Sequence, residues 1–391
     1  FLPAQAVVFT AGAPKSMKAL PISEPVLTPE GFVSMENIQV GSLVTGLDGL
    51  AHRVLAKQEQ GVRDIYLVTL SDGSTIRTTE DHLWLTQTAQ HKKDGKPFAV
   101  RSLLDISATI HQRHRVPEHR AVEFAPQYQS LPLDPYVLGQ LLGDGGFTGS
   151  SVILSACESD NRRRFIEHLP PSDTGSETDI LVRVKRRVRS HHMPSDTLSA
   201  LCGLGLWGKK SDAKFIPEMY LRSSVENRIA LLRGLADTDG SVSPRGRALT
   251  YASCTERLAR DFVFLVRSLG GIARMTVIGP RHYAVRVSFD GLCPVSSDKH
   301  LAKWLGGRRN HRVINSVELV GREECACITI DSPDSMFVGG EFVPTHNSFL
   351  TTELAFSVAS GKPFLGRWQS GAPRRALIVQ QESSMAAYQG R

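Results

Sequence analysis

The tripeptide His346-Asn347-Ser348 sets an amide side chain between an imidazole and a hydroxyl, and that order can do chemistry. The Asn347 amide can attack its own main-chain carbonyl and cleave the bond to Ser348. His346 can carry the proton transfers, and the Ser348 hydroxyl can hold an acyl group as an ester. An apolar strand, Phe342-Val343-Pro344, must deliver the three residues to a polar turn. A second chemical group precedes them, Cys325-Ala326-Cys327. On a strand, cysteines spaced by two face the same side, so spacing alone leaves either one as a nucleophile and either one as a small buried hydrophobe.

The two ends of the chain complete each other. Val7-Val8-Phe9-Thr10-Ala11-Gly12-Ala13-Pro14-Lys15-Ser16-Met17-Lys18 reads as a strand and a phosphate-binding loop, but Ala19 and a Pro-containing strand replace the helix that must follow. Joining Lys18 directly to Ser348 gives Gly-Ala-Pro-Lys-Ser-Met-Lys-Ser, followed by a stretch of helical periodicity from Phe349. Removal of residues 19–347 therefore repairs a motif, with Met17 in place of its second glycine. After the helix, 376–382 reads as a buried strand ending in Glu382, so the flanks resemble the start of a RecA-like ATPase core. In the joined product that resemblance makes Gly12 and Lys18 phosphate contacts, Ser348 a Mg²⁺ ligand and Glu382 a group on the attacking water. ATP and Mg²⁺ belong to that complete product only.

The stretch between the flanks begins with short apolar runs and glycine turns, an all-β pattern. Residues 26–44 and 73–86 resemble the first two sequence blocks of inteins, and 324–331 and 342–348 resemble the last ones. The resemblance implies that Thr79 and His82 polarise the N-terminal junction. Inteins usually open with Cys or Ser; Ala19 carries no nucleophile. Trp84, Cys327 and Thr345 together match the triplet of class 3 inteins, in which the internal cysteine attacks the junction directly. Cys327 would then be the nucleophile, with Trp84 shielding or positioning the thiol and Thr345 orienting the thiol or a water. Cys325 stays open as its rival.

Between about 115 and 305 the periodicity lengthens. Pro135 to Gly146 and Ile229 to Gly240 are apolar helices ending in acidic glycine turns, each followed by a similar strand, and a duplication is the simplest reading. Small residues inside both helices allow close packing that sets Asp144 beside Asp239, and paired carboxylates bind divalent cations. The pattern resembles the LAGLIDADG homing endonucleases, which implies Mg²⁺-dependent cutting of double-stranded DNA and makes Lys214 a catalytic-site lysine. Arg183, Lys185, Arg187 and Arg189 share one face of a strand at about 7 Å steps, close to phosphate spacing. A hairpin around Gly279-Pro280 carries Arg274 and Arg286. These cations suit DNA, or else a solvated, charge-blunted sheet edge.

Composition agrees with this reading. A length of 391 fits two or three domains, and 41% hydrophobic with 22% charged residues is the balance of a soluble protein. Six scattered cysteines argue for free thiols in a reducing cytosol, and a net charge of +7 fits a nucleic-acid partner. No run of 18 apolar residues and no signal peptide are present, which predicts a cytoplasmic chain without a membrane partner.

The expectation is a multi-domain chain. Residues 19–115 and 306–347 form an all-β horseshoe splicing domain, with an α/β endonuclease at 116–305 and host fragments at 1–18 and 348–391. It is expected to be a monomer with a pseudo-two-fold nuclease. Two rivals are a nuclease whose splicing has decayed and a nucleotide-binding protein with an inert insert.

Overall fold

Two long strands, Ala51–Leu70 and Ile314–Ile330, are the spine of the first unit. They pair antiparallel from Ile314 opposite Leu70 to Ile330 opposite Val54, with four shifts in register. Such lengths exceed the usual strand, and each shift adds local twist that bends the ribbon. The structure is a computed structural model, and it describes residues 19–126, 130–156, 158–186, 194–307, 311–346, 358–361 and 373.

The short strand Leu20–Pro21 lies on the free edge of Ile314–Ile330, and Leu43–Thr45 and Thr75–Thr78 pair with Ala51–Leu70. A second sheet runs Val343–His346, Met336–Gly339, Pro25–Thr28, Gly31–Ser34, so both ends of this unit share it. Leu20, Val26, Val54, Val68, Trp84, Ala326, Ile328, Phe337 and Val343 fill one apolar core between these strands. The unit is mainly β, as the short apolar runs and glycine turns of the sequence predict, but it also holds short helices at Ala89–Lys93 and Leu103–Ala108 that the all-β expectation did not include.

The second unit keeps the predicted repeat. Its first half is a helix (Pro135–Asp144), strands Gly145–Gly146 and Ile153–Ser155, a helix (Ser159–Glu167), and strands Asp173–Glu177 and Leu181–Arg186. The second half is Val225–Asp239, Gly240–Val242, Leu249–Ser253, Glu256–Ser268, Ile272–Gly279 and His282–Ser288, in the same order of types. In both four-stranded sheets the order is third, fourth, second, first. One core containing Leu138, Leu142, Phe165, Leu232, Leu235, Phe262 and Val285 joins the halves.

The chain enters and leaves the second unit at one place. Arg115 bridges both Gln87 and Val313, and the Val116 N–H donates to Arg312 O at 3.0 Å. Among the described residues, no helix is long and apolar enough to cross a membrane.

Candidate functional sites

The N-terminal edge of the first unit is held by local chemistry. The Ala19 N–H donates to Thr79 Oγ1 at 3.3 Å, and the Thr79 N–H donates to Ala19 O at 3.2 Å. The Thr79 hydroxyl has one proton and two acceptors in reach, Asp81 at 2.6 Å and Ala19 O at 3.3 Å. The shorter bond to the carboxylate is the stronger, which leaves the oxygen to accept from Ala19. The turn continues with the His82 N–H on Thr79 O at 3.2 Å. Thr79 and His82 thus come as one rigid loop against Ala19.

His82, Cys327 and His346 line a single cavity with Leu20, Met35, Ala326, Ile328 and Phe337. Its volume, about 10 Å³, is room for one water. All three chemical side chains are buried. His82 Nε2 and Thr345 Oγ1 share a short hydrogen bond. The Trp84 ring stands edge-on to the His82 ring, centroids 6.1 Å apart at 80°. Thr345 was expected on the thiol or a water; the structure sets its hydroxyl on the histidine. Trp84 likewise packs on His82, and it is not among the residues lining the cavity.

The two cysteines differ. Leu20 lies opposite Ala326 and Pro21 opposite Cys325, both antiparallel. Cys325 packs with Ala19 and Ile65 and donates to Glu323 O at 3.4 Å. Burial pushes its thiol up to about 11, which suppresses the nucleophilic thiolate. Cys327 lies in the cavity with the histidines, its thiol 3.8 Å from Ile328 O. Asn347 and Ser348 lie outside the described residues, as do Gly12, Lys18 and Glu382 of the flanks.

In the second unit the repeated helices touch backbone to backbone. A Cβ on Gly139 would come within 2.5 Å of Leu231 O and 2.9 Å of Gly234 Cα, and one on Gly234 within 2.2 Å of Tyr136 O. Only glycine permits that approach, and it carries the two helix ends together. Asp144 and Asp239 end those helices, and each carboxyl is raised by burial. Asp239 is pushed up to about 7, with the Asp144 charge as the next cause.

Lys214 closes the site from below. Its ammonium donates to Leu141 O, Gly143 O and Gly145 O at 2.8–3.0 Å, so its three protons cap the first helix. Burial lowers it to about 8, against the pull of Asp239 and Asp144. The predicted catalytic lysine is thus bound to the turn that holds Asp144.

Asp237, two residues before Asp239, was not singled out in the sequence. It is buried and accepts from Tyr136 Oη and from the N–H groups of Ser296 and Ser297, all at 3.0 Å. Burial pulls its carboxyl up, but His300 beside it, followed by the Ser296 hydroxyl and the Ser297 and Ser296 N–H groups, holds it below the usual range. It is a structural acid, and its neighbour Asp239 is the strained one. Among the described residues no group of three or more His, Cys, Asp or Glu forms a metal cage. Two close carboxylates with raised proton affinity do fit a divalent cation, which would offset their repulsion.

Of the predicted DNA contacts, Arg183 and Lys185 are exposed on Leu181–Arg186, and Arg274 faces Arg286 across a hairpin with both exposed. Arg187 and Arg189 lie outside the described residues.

Residues 226–319 match the family model of a LAGLIDADG-like domain. The match covers the second motif helix from Glu226 and its whole sheet. This segment is a LAGLIDADG-like domain. The matched segment answers to the second half of the duplicated pattern in the sequence.

Over 380 residues the chain is 28% identical to the replicative DNA helicase DnaB of Mycobacterium intracellulare, covering 88% of this chain and 61% of that protein. It is 26% identical over 252 residues to the replicative DNA helicase DnaB of Rhodothermus marinus, covering 58% of this chain and 25% of that one. The chain therefore spans at most about three-fifths of these curated relatives. Among solved structures it is similar to the MchDnaB-1 intein, at 14% identity and a TM-score of 0.27, covering 84% of this chain and 100% of that one. It is also similar to a DnaB intein from Synechocystis sp. PCC 6803, at 9% identity and a TM-score of 0.30, covering 85% and 100%.

Proposed function

We propose that the chain splices itself by the class 3 route, removing residues 19–347 and joining 1–18 to 348–391. The Cys327 thiolate attacks the Lys18 carbonyl. The Lys18–Ala19 bond breaks, and the Ala19 nitrogen leaves as an amine with a proton from His82. The acyl group passes from sulfur to the Ser348 hydroxyl, which regenerates the thiol. Asn347 then cyclises through its side-chain nitrogen, the bond to Ser348 breaks, and His346 moves the protons. The ester shifts to the freed Ser348 amine, leaving a peptide and a repaired phosphate-binding loop. In this reading the host is a RecA-like ATPase of the replicative-helicase kind, and the two β-sheets are the horseshoe that carries the reaction.

One observation carries this choice of nucleophile. Cys327 lines one cavity with His82 and His346, whereas Cys325 is not among the residues that line it. Mass spectrometry of the expressed chain tests it. Cys327→Ala should abolish both the 19–347 product and the joined flanks, whereas Cys325→Ala should leave them. The reverse pattern would assign the attack to Cys325.

For the LAGLIDADG-like domain we propose site-specific cutting of double-stranded DNA at the uninterrupted host gene. Asp144 and Asp239 would hold Mg²⁺, which when bound supplies Lewis-acid activation for phosphodiester hydrolysis. Lys214 keeps the Asp144 turn in place, and Arg183, Lys185, Arg274 and Arg286 meet phosphates. Asp144→Asn should eliminate cutting of the uninterrupted gene; unchanged cutting would remove that carboxylate from the site.

A further inference from the structure

Phe342 stands where the two units meet, four residues before His346. Its backbone is left-handed, φ 62°, a conformation a side chain with a Cβ avoids unless its surroundings hold it. The ring is gripped from both units. Phe32 meets it edge-on at 5.0 Å, and Phe264, on the helix Glu256–Ser268 of the LAGLIDADG-like domain, does so at 5.1 Å. His119 stacks on it at 5.8 Å, and Arg312 donates to its carbonyl at 2.9 Å.

The turn before it is held in the same way. Arg267, one helical turn from Phe264, reaches Glu341 at 3.3 Å and the buried Asp72 at 3.4 Å. Glu341 also accepts from the Thr75 N–H at 3.1 Å, and its own N–H donates to Thr75 O at 3.1 Å. Gly340 lies so close that a Cβ there would stand 2.5 Å from Thr75 O. Residues 339–342 are thus pressed between 72–75 on one side and Phe264 with Arg267 on the other. The strand leaving this turn, Val343–His346, brings Thr345 to His82 and His346 into the cavity of Cys327.

We infer that Phe264 and Arg267, residues of the LAGLIDADG-like domain, are positioning residues for protein splicing. They set the turn that aims His346 into the cavity of Cys327. The inference rests on the splicing reading above. It makes the insert a working part of the splicing centre. The second motif helix is tied to the same junction, because buried Arg228 donates to Ser268 O at 3.0 Å and to Val122 O.

The test uses the full chain with Phe264→Leu, Glu341→Gln, Arg267→Ala and Arg267→Lys. Two steps are timed separately. Hydroxylamine releases residues 1–18 from a thioester, and mass spectrometry follows release or joining of 348–391. The expected result for Arg267→Ala is a tenfold or larger loss in the C-terminal step, with the hydroxylamine-sensitive step within about threefold. Arg267→Lys should restore a good part of it, and the milder Phe264→Leu and Glu341→Gln should shift the same step. Equal loss in both steps, including loss through misfolding across all four variants, would overturn the positioning role; so would no change in either. A parent chain that releases nothing at either junction would instead sink the splicing reading itself.

Discussion

Thr345 and His82 lie 263 positions apart and share a hydrogen bond inside the core. Each comes from a different end of the first unit, His82 from the turn after Thr75–Thr78 and Thr345 from the strand Val343–His346. The bond ties the loop that holds Ala19 to the strand that presents His346.

Thr345→Val keeps the shape and removes the hydroxyl. His82 then loses this hydrogen bond to its ring, and attack at the Lys18–Ala19 junction should slow by about tenfold or more. That is short of the roughly 10²–10⁴-fold expected when an acid–base group is removed, as in His82→Ala. Hydroxylamine-trapped release of residues 1–18 measures both. A Thr345→Val chain with the parent rate would leave the bond without a role in this step.

The pair of carboxyls in the second unit predicts a pH dependence. Asp239 titrates at about 7 in the folded chain, chiefly through burial and then through Asp144, and near 3.9 when unfolded. The folded state therefore binds the extra proton more tightly between about pH 4 and pH 7, and stability falls as pH rises through that window. A divalent cation competes with this proton. Mg²⁺ should raise Tm at about pH 8 and have little effect at about pH 5. Asp239→Asn should be more stable than the parent at the higher pH and lose its response to Mg²⁺. Scanning calorimetry across the range checks this; a Tm blind to Mg²⁺ at every pH would count against a cation at these acids.

Gly139 and Gly234 set how near the motif helices come. Gly139→Ala puts a methyl where Leu231 O stands at 2.5 Å. The helices must separate, at an expected cost of about 1–3 kcal/mol in urea unfolding. The same shift moves Asp144 from Asp239, so DNA cutting should fall further than stability does. Equal stability with full cutting would show that the close approach has no function.

Salt dependence separates phosphate contacts from merely solvated cations. If Lys185 and Arg286 meet phosphates, alanine at either should lower the slope of log affinity against log salt by about 1, largely independent of sequence. Fluorescence anisotropy with duplex DNA at several salt concentrations reads the slope. An unchanged slope would return these residues to solvent.

Much was legible in the chain because it is written locally. The chemical order of His346-Asn347-Ser348, the Gly/Lys loop interrupted at Lys18, the lack of a nucleophile at Ala19 and the repeated helices ending at Asp144 and Asp239 depend on residue type and near spacing alone. The repeat returned as two sheets of one strand order, since period and turn chemistry already specify such elements.

What only the fold decided are the relations between distant residues. Spacing on a strand could not separate Cys325 from Cys327; burial raised one thiol, and the sheet set the other in the cavity of His82 and His346. Sequence could not tell that Thr345 serves a histidine, that Lys214 spends its protons on three carbonyls, or that Arg267 crosses between units. Local pattern decides which element forms and which face is apolar. Burial, charge and hydrogen-bond partners at a site depend on segments far apart in the chain, as Leu20 against Ala326 and Val26 against Gly339 show, and these meet only when the core closes.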